Sequence, residues 1–183
     1  MSGVVDVRIR RLGPIAQVAL RADPADVALQ ARLAAALSVA PPIDANTVVA
    51  AADGQGHVLW LGPDEWLVVG REGAGDEVGP TIAETLQTAA QGAFVTTVDV
   101  SANRVGVEVE GTSARHLLAF GCALDLAART FTPGSCAQTM VARAGVILWL
   151  RGEDPSPRFW LLVRPSFATY LETWLRDAEV GLG

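Results

Sequence analysis

The sequence contains no lysine: all 14 basic residues among its 183 residues are arginines. Without lysine the chain has no P-loop lysine for phosphates, no Schiff-base lysine and no lysine general base. A chain rich in alanine and arginine and without lysine is typical of a GC-rich bacterial genome, which is the interpretation we adopt for the bias. The three lysine chemistries stay excluded whatever the origin of the composition.

Soft metal ligands are almost as scarce, since the chain has two cysteines and two histidines. A structural zinc site needs about four ligands, usually in closely spaced pairs, and Cys122, Cys136, His57 and His116 have no such spacing. A Cys–His nucleophile would need a third group to orient the histidine, and the sequence identifies none. We therefore predict no metal site, no disulfide framework and two free thiols.

Long apolar runs and excess positive charge are also missing. The longest runs, such as residues 146–150, are far shorter than the ~20 residues that span a bilayer. Arginines replace the apolar core of a signal sequence near the start, so we expect a cytoplasmic protein. The formal net charge of -6 argues against nucleic acid and against an anionic membrane surface as partners. Half of the residues are hydrophobic, which predicts a dense core or a surface covered by another protein.

What the sequence does contain is an internal repeat. Val5-Asp6-Val7 recurs 93 residues later as Val98-Asp99-Val100, and the apolar residues 66–69 recur at the same spacing as residues 159–162. Because a duplication fixes the architecture of a chain, it takes precedence over local signals. We expect one pseudo-symmetric domain over residues 1–183, with repeat 1 at about 1–92 and repeat 2 at about 93–183.

Each repeat shows the element order β-α-β-β-β-α, and the Val-Asp-Val segment is expected to add a leading strand to its own repeat. The pattern predicts an α+β fold of mostly antiparallel sheet with helices packed on it. Strands are predicted at residues 15–21, 47–51, 57–61, 65–70, 105–110, 136–142, 146–150 and 158–163.

The helices follow recognisable start signals. Asp23-Pro24 and Gly111-Thr112 precede the first helix of each repeat, a second helix covers residues 78–89, and Ser166 is expected to cap the last one. That helix carries apolar residues at i, i+3, i+4, i+7 and i+8: Phe167, Tyr170, Leu171, Trp174 and Leu175. The core is expected to include Trp66, Trp149, Trp160 and Trp174.

Two polar features suggest a site and are better explained structurally. The glycine-rich residues 73–79 follow a strand and open a helix, but their spacing is not that of a dinucleotide-binding motif. Asp76 and Glu77 there would also repel a pyrophosphate. Asp99 stands at a strand end where a general base could lie, yet Asp6 occupies the same place in repeat 1. A repeated aspartate predicts a turn cap or a pair with an arginine, here Arg11 and Arg104.

Several stretches are similar to those of a known family. They are Leu-Gly-Pro-Asp-Glu-Trp-Leu at 61–67, Val-Asp-Val-Ser at 98–101, Gly-Cys-Ala-Leu-Asp-Leu at 121–126, Phe-Thr-Pro-Gly-Ser-Cys-Ala-Gln-Thr at 131–139, Ala-Arg at 142–143, Leu-Trp at 148–149 and Arg-Pro-Ser-Phe-Ala at 164–168. Together they resemble the gamma subunit of heterotetrameric sarcosine oxidase. The resemblance covers residues 55–178 and is strongest in repeat 2.

This resemblance implies a fold related to the folate-binding domain of the glycine-cleavage aminomethyltransferases. It also implies a place in an alpha-beta-gamma-delta complex that demethylates sarcosine to glycine, makes hydrogen peroxide and passes the one-carbon unit to tetrahydrofolate. The FAD, FMN, NAD, zinc and tetrahydrofolate of that complex belong to the partner subunits. The gamma subunit is expected to pack against the large alpha subunit, with beta and delta in the same assembly.

The sequence departs from its folate-binding relatives at two places. They carry an aspartate on a hairpin strand, whereas residues 57–60 and 146–149 contain no acid; the segment 133–136 also lacks the lysine of a related motif. We therefore expect no catalytic, cofactor-binding or metal-ligating residue in this chain, and a non-catalytic accessory subunit as its role. A stand-alone folate-binding or one-carbon transfer protein, and an independent homo-oligomer, are the alternatives. The expected partner surface is the sheet face with aromatic strand residues that the helices leave uncovered.

Overall fold

The computed structural model describes residues 6–52, 54, 56–73 and 77–182. Its strands are β1 (Arg8–Arg11), β2 (Ile15–Ala22), β3 (Val48–Ala50), β4 (Gly56–Gly62), β5 (Glu65–Glu72), β6 (Val95–Asp99), β7 (Val105–Glu110), β8 (Cys136–Val141), β9 (Ala144–Gly152) and β10 (Arg158–Val163). Its α-helices are α1 (Val27–Leu37), α2 (Val78–Ala89), α3 (Ala114–Ala119) and α4 (Pro165–Val180), and a short 3-10 helix covers Ser101–Asn103. No helix among the described residues is long and apolar enough to cross a membrane.

The predicted order of elements is confirmed in both repeats. Repeat 1 supplies β2-α1-β3-β4-β5-α2 and repeat 2 supplies β7-α3-β8-β9-β10-α4. Every strand pair of the described residues is antiparallel. The prediction of an α+β fold with antiparallel sheet is therefore confirmed.

The chain divides into two compact units that do not coincide with the two repeats. The first unit is Gly13–Ala102, and the second joins the residues up to Leu12 with those from Asn103 onward. Each unit has a five-stranded sheet, with the order β6-β2-β5-β4-β3 in the first and β1-β7-β10-β9-β8 in the second. The two orders are the same when the strands are matched by their place in the repeat.

The two edge strands β1 and β6 are exchanged between the repeats. Strand β1 precedes β2 in the chain but pairs with β7, with Ile9 opposite Val109. Strand β6 precedes β7 but pairs with β2, with Val98 opposite Ala19. The expectation that each Val-Asp-Val segment adds a strand to its own repeat is therefore wrong, because each edge strand completes the sheet of the other repeat; Val5 lies outside the described residues.

Each unit has a hydrophobic core between one face of its sheet and its two helices. In the first unit β2 contributes Val18 and Leu20 while α1 contributes Leu29 and Leu33, as the two-residue and 3.6-residue periods require. Trp66 is 1% exposed, and its indole N–H donates to the Pro42 carbonyl at 2.7 Å. The core of the second unit includes Val107, Val109, Leu117, Leu118, Leu148, Leu150, Phe159, Leu161, Leu171 and Leu175.

The starts of two helices differ from the prediction. Helix α1 is capped by Asp26, whose carboxylate accepts from the Leu29 N–H at 2.9 Å. The predicted cap Asp23 instead forms a turn by accepting from the Ala25 N–H at 2.8 Å. Helix α4 begins with Pro165 at its first position and its N-cap residue is Arg164, so Ser166 is already inside the helix.

The apolar stripe predicted on α4 is only partly buried. Leu171 and Leu175 are buried and Trp174 packs at the edge of the core, but Phe167 and Tyr170 are 42% and 38% exposed. The buried residues of α4 are Ala168, Leu171 and Leu175, so its buried face is centred on these residues, and Phe167 and Tyr170 lie at its margin. Trp149 and Trp160 are buried as predicted, at 2% and 5% exposure.

Candidate functional site

The soft ligands identified in the sequence lie in different surroundings. Cys122 and Cys136 are both buried and free of disulfides. His116 is exposed on α3, with its ring 5.2 Å from that of Phe120. Within the described ranges, no group of three or more His, Cys, Asp or Glu side chains could hold a metal ion.

Asp6 caps the loop that leads into α3. Its Oδ2 accepts from both the backbone N–H and the hydroxyl of Thr112, each at 3.2 Å, and its carbonyl accepts from the Ser113 N–H at 3.0 Å. The backbone of Gly111 passes so close that a Cβ there would lie 2.2 Å from the Asp6 carbonyl oxygen. The prediction that this aspartate caps a turn is confirmed.

Asp99 plays the matching part in the first unit. Its Oδ1 accepts from the N–H and hydroxyl of Ser101 at 3.0 and 2.5 Å. The Ser101 hydroxyl in turn accepts from the Gln17 N–H at 2.9 Å. These contacts support a turn cap rather than a general base. Arg11, one of the two arginines that the sequence offered as alternative partners, forms its ion pair with Glu172.

The start of α2 is closed to an anion. A Cβ at Gly79 would lie 2.3 Å from Asp99 Oδ1 and 2.6 Å from the Ser101 hydroxyl, so the Asp99 carboxylate contacts the first turn of this helix. Glu77 is the N-cap residue. Two carboxylates at this end oppose the phosphate that a dinucleotide site would hold there. The remaining residues of the glycine-rich segment, 74–76, lie outside the described ranges.

Sequence reasoning missed a buried charged cluster on the sheet of the second unit. Glu108 of β7 is 7% exposed. Its Oε1 accepts from Arg10 Nε at 3.2 Å and Nη2 at 2.8 Å, and its Oε2 accepts from the Trp160 indole N–H at 2.9 Å. These bonds join β1, β7 and β10 through one carboxylate, in line with the rule that buried charges are paired.

Arg151 extends this cluster over two tryptophans. Its guanidinium lies 4.4 Å from the centroid of the Trp149 ring and 4.5 Å from that of Trp160, within the range of a cation–π contact. Burial lowers the pKa of Arg151 below its usual value; the Arg158 charge lowers it further and Glu108 opposes the shift. The cluster stabilises the sheet and offers no nucleophile with an adjacent base. Trp149 and Arg151 are two residues apart on β9 and therefore on the same face of the strand, which is the one sequence signal that could have suggested the cluster.

The first unit contains a small cleft between its helices and β4. Its volume is about 190 Å³, and it is lined by apolar side chains of α1 and α2 together with His57, Thr81 and Thr85. This is below the size of most small-molecule pockets, roughly 300–1,000 Å³. His57 is the titratable side chain of this lining.

The second unit carries a larger groove, which we call the arginine groove. It measures about 420 Å³ and is lined by Arg104, Arg164, Gln138, Met140, Ile147 and Leu162, with Gly145 and neighbouring residues of β8 and β9 completing it. Gln138, Ile147 and Leu162 stand side by side on β8, β9 and β10, on the sheet face turned away from the helices. The groove contains cationic and amide groups but no acid or nucleophile.

The two hairpin strands on which an aspartate is expected in a folate-binding protein of this fold are β4 and β9. The side chains of β4 that carry a nitrogen are His57 and Trp60, and those of β9 are Trp149 and Arg151. Cys136, at the start of β8, is fully buried. The geometry thus places no carboxylate on either hairpin strand.

Comparison with known proteins places the chain in a family. The model of the sarcosine oxidase gamma subunit family matches residues 21–181. The sarcosine oxidase subunit gamma of an Arthrobacter species is 36% identical over 172 residues, covering 94% of this chain and 79% of that protein. Its counterpart in Corynebacterium sp. (strain U-96) is 35% identical over 179 residues, covering 97% and 82%.

Solved structures agree with these matches. A chain of the heterotetrameric sarcosine oxidase from Corynebacterium sp. U-96, in complex with pyrrole 2-carboxylate, superposes with a TM-score of 0.85 at 33% identity, over 100% of this chain and 88% of that one. The glycine cleavage system aminomethyltransferase T from Bartonella henselae gives 0.67 at 14% identity, over 93% of this chain and 45% of that one, which shows a shared fold only. The predicted aminomethyltransferase-like fold is confirmed, and the chain belongs to the sarcosine oxidase gamma subunit family.

Proposed function

We propose that this chain is a non-catalytic accessory subunit of a heterotetrameric sarcosine oxidase. In this role it stabilises and positions the subunits that carry the chemistry, an alpha subunit above all, with beta and delta in the same cytoplasmic complex. The flavins, NAD, zinc and tetrahydrofolate would be bound by those partners. The observation that carries the proposal is the match along the whole chain to a chain of such a complex.

The chemistry of the described residues supports a role without catalysis. The aspartates repeated in the two halves are engaged in turn caps by Thr112 and Ser101, both cysteines are buried, and the buried carboxylate of Glu108 is engaged by Arg10 and Trp160. An enzyme of this fold would need a nucleophile or a base facing a cavity. Neither the cleft of the first unit nor the arginine groove contains a carboxylate or a thiol. A third cavity of about 450 Å³ in the first unit is lined by Asp23 and Asp64, whose carboxylates are engaged by the Ala25 N–H and by Arg21.

The fold shared with aminomethyltransferase T favours one alternative, a stand-alone folate-binding protein. A folate-binding site of this fold is expected to use a carboxylate on a hairpin strand, and β4 and β9 contain none. The accessory role therefore accounts for more of the residues than the folate-binding role does.

Co-expression with the other subunits of the complex tests the proposal. We expect the chain to co-purify with them in one species on gel filtration, and the complex to form hydrogen peroxide from sarcosine. The chain alone should form none, and should show no heat of binding when titrated with tetrahydrofolate. Sarcosine turnover by the chain alone, or micromolar folate binding together with failure to join the complex, would refute the accessory role.

A further inference from the structure

The arginine groove concentrates positive charge on an acidic protein. The chain has a formal net charge of -6, yet Arg104 and Arg164 both line this groove and none of its lining residues is acidic. Arg164 Nη1 donates to the neutral amide oxygen of Asn103 at 3.3 Å. Among the ion pairs of the described residues, none involves Arg164. Its guanidinium is thus exposed and not compensated by a carboxylate of the described chain.

The shape of the groove favours a side chain from another protein over a small molecule. The floor is tightly packed, with Ile147 2% and Leu162 0% exposed, whereas Met140 on the rim is 50% exposed. Gly145 leaves open space there, since a Cβ at this position would meet nothing closer than the Met140 sulfur at 3.8 Å. Small-molecule sites bury most of their ligand. A ligand in this groove would stay open to solvent unless a surrounding surface held it.

The rim residues are also the types that protein interfaces favour. Arginine and methionine are enriched at interfaces relative to the remaining surface, and the planar guanidinium matches a carboxylate through two parallel hydrogen bonds. Arg164 immediately precedes α4 and is held beside Asn103, so its position is fixed by the fold. A carboxylate is the group that complements this charge.

Resting on the proposed function, we propose that the arginine groove is a docking site for an aspartate or glutamate side chain of another subunit of the complex. The carboxylate binds the Arg164 guanidinium, and the neighbouring partner surface covers Met140 and the space above Gly145. Such a contact at an exposed rim mainly accelerates and orients association, and it weakens as salt screens the charges.

Competitive incorporation tests this docking site. Wild-type chain and the variant Arg164→Glu, carrying distinguishable tags, are co-expressed with the other subunits, and their ratio in the purified complex is compared with their ratio in the soluble pool. Arg164→Gln, which removes the charge without reversing it, is a second variant. Arg129→Glu is the control for the charge change, because the Arg129 side chain is 80% exposed and its ion pair is with the neighbouring Asp125 of the same loop.

We expect Arg164→Glu to be under-represented in the complex at least about tenfold, Arg164→Gln less so, and Arg129→Glu to stay within about twofold of wild type. When the tagged chains instead compete for the other subunits in a cell lysate, the deficit of Arg164→Glu should be smaller at high salt than at low salt. Incorporation of Arg164→Glu equal to that of the control would overturn the docking site and leave the accessory role intact. Failure of the wild-type chain to join the complex would refute the proposed function itself, and with it the docking site.

Discussion

Replacing Glu108 by glutamine tests the buried charged cluster most directly. The carboxylate is 7% exposed and accepts from Arg10 at one oxygen and from the Trp160 indole at the other. Glutamine keeps the shape but offers one acceptor and one amide donor. Whichever way the amide turns, its NH2 group faces either the Arg10 guanidinium or the Trp160 indole N–H. The substitution also removes the negative charge of Glu108 from beside Arg10 and Arg151.

The size of the effect follows from two contributions. A buried donor or acceptor left without a partner costs about 1–3 kcal/mol. Removing one member of a buried ion pair costs about 3–5 kcal/mol, but the Arg10 side chain is 37% exposed and can recover hydration. We therefore expect Glu108→Gln to lower the free energy of unfolding by about 2–3 kcal/mol.

Urea denaturation followed by tryptophan fluorescence measures this loss, because Trp160 lies in the cluster itself. The midpoint should fall at an unchanged m-value. The triple variant Arg10→Met, Glu108→Leu, Trp160→Phe removes the carboxylate together with the two side chains that donate to it, and should recover part of the loss, since neither donor is then left facing an amide. A loss below about 0.5 kcal/mol for Glu108→Gln, or a triple variant less stable than the single one, would refute this account of the cluster.

Three further predictions concern other contacts. Gly111→Ala should lower the thermal midpoint and cost at least about 2 kcal/mol, because the residue has φ 135° and a Cβ would lie 2.2 Å from the Asp6 carbonyl oxygen. Gly121→Ala should cost about 1–3 kcal/mol in urea, because a Cβ would come within 2.5 Å of the Trp174 ring. Backbone and hydroxyl hydrogen bonds hold the pKa of Asp125 below its usual value, so the wild type should be more stable than Asp125→Asn above the ordinary aspartate pKa. That advantage should disappear as the pH falls through the lowered pKa, measured as the difference in thermal midpoint.

Each of these predictions has its own control. Gly54→Ala is the comparison for Gly111→Ala, since Gly54 also has a positive φ but nothing within 4 Å of its Cβ position; equal losses would mean that the contact with Asp6 contributes nothing. Adding Trp174→Phe should relieve part of the Gly121→Ala loss, and an additive double variant would contradict the clash. A constant difference between wild type and Asp125→Asn at every pH would disprove the role of the charge.

Periodic elements were predictable because their signals are local. Strands β7 and β10 lie at the predicted residues, and the buried residues of α1, Leu29, Leu33 and Leu37, recur at the spacing of one helical face. The helix starts were less predictable, since Asp23 and Asp26 are both good caps and only the path of the chain after β2 selects Asp26. The same limit applies to α4, where Phe167 and Tyr170 share the apolar spacing but lie at the margin of the face that Leu171 buries.

The candidate sites divide in the same way. That Asp6 and Asp99 cap turns was predictable, because an aspartate repeated in both halves of a duplication indicates a structural role. The partners were not, since Arg11 turns to Glu172, which is 161 residues away in the sequence. The cluster around Glu108 and the arginine groove are built from residues of three or more strands, so no local pattern could show which of their residues meet.

The sequence by itself determined the duplication, the order of strands and helices, the apolar faces and the family, because all of these are recorded in spacing and composition along one line. Only the tertiary structure decided that β1 and β6 change places between the repeats, since both sheets offer an edge of the same kind and the choice depends on pairing across the whole chain. It also decided which charges meet. The position of a charged side chain is set by its own strand or helix, whereas its partner lies on whichever element is next to it in the fold.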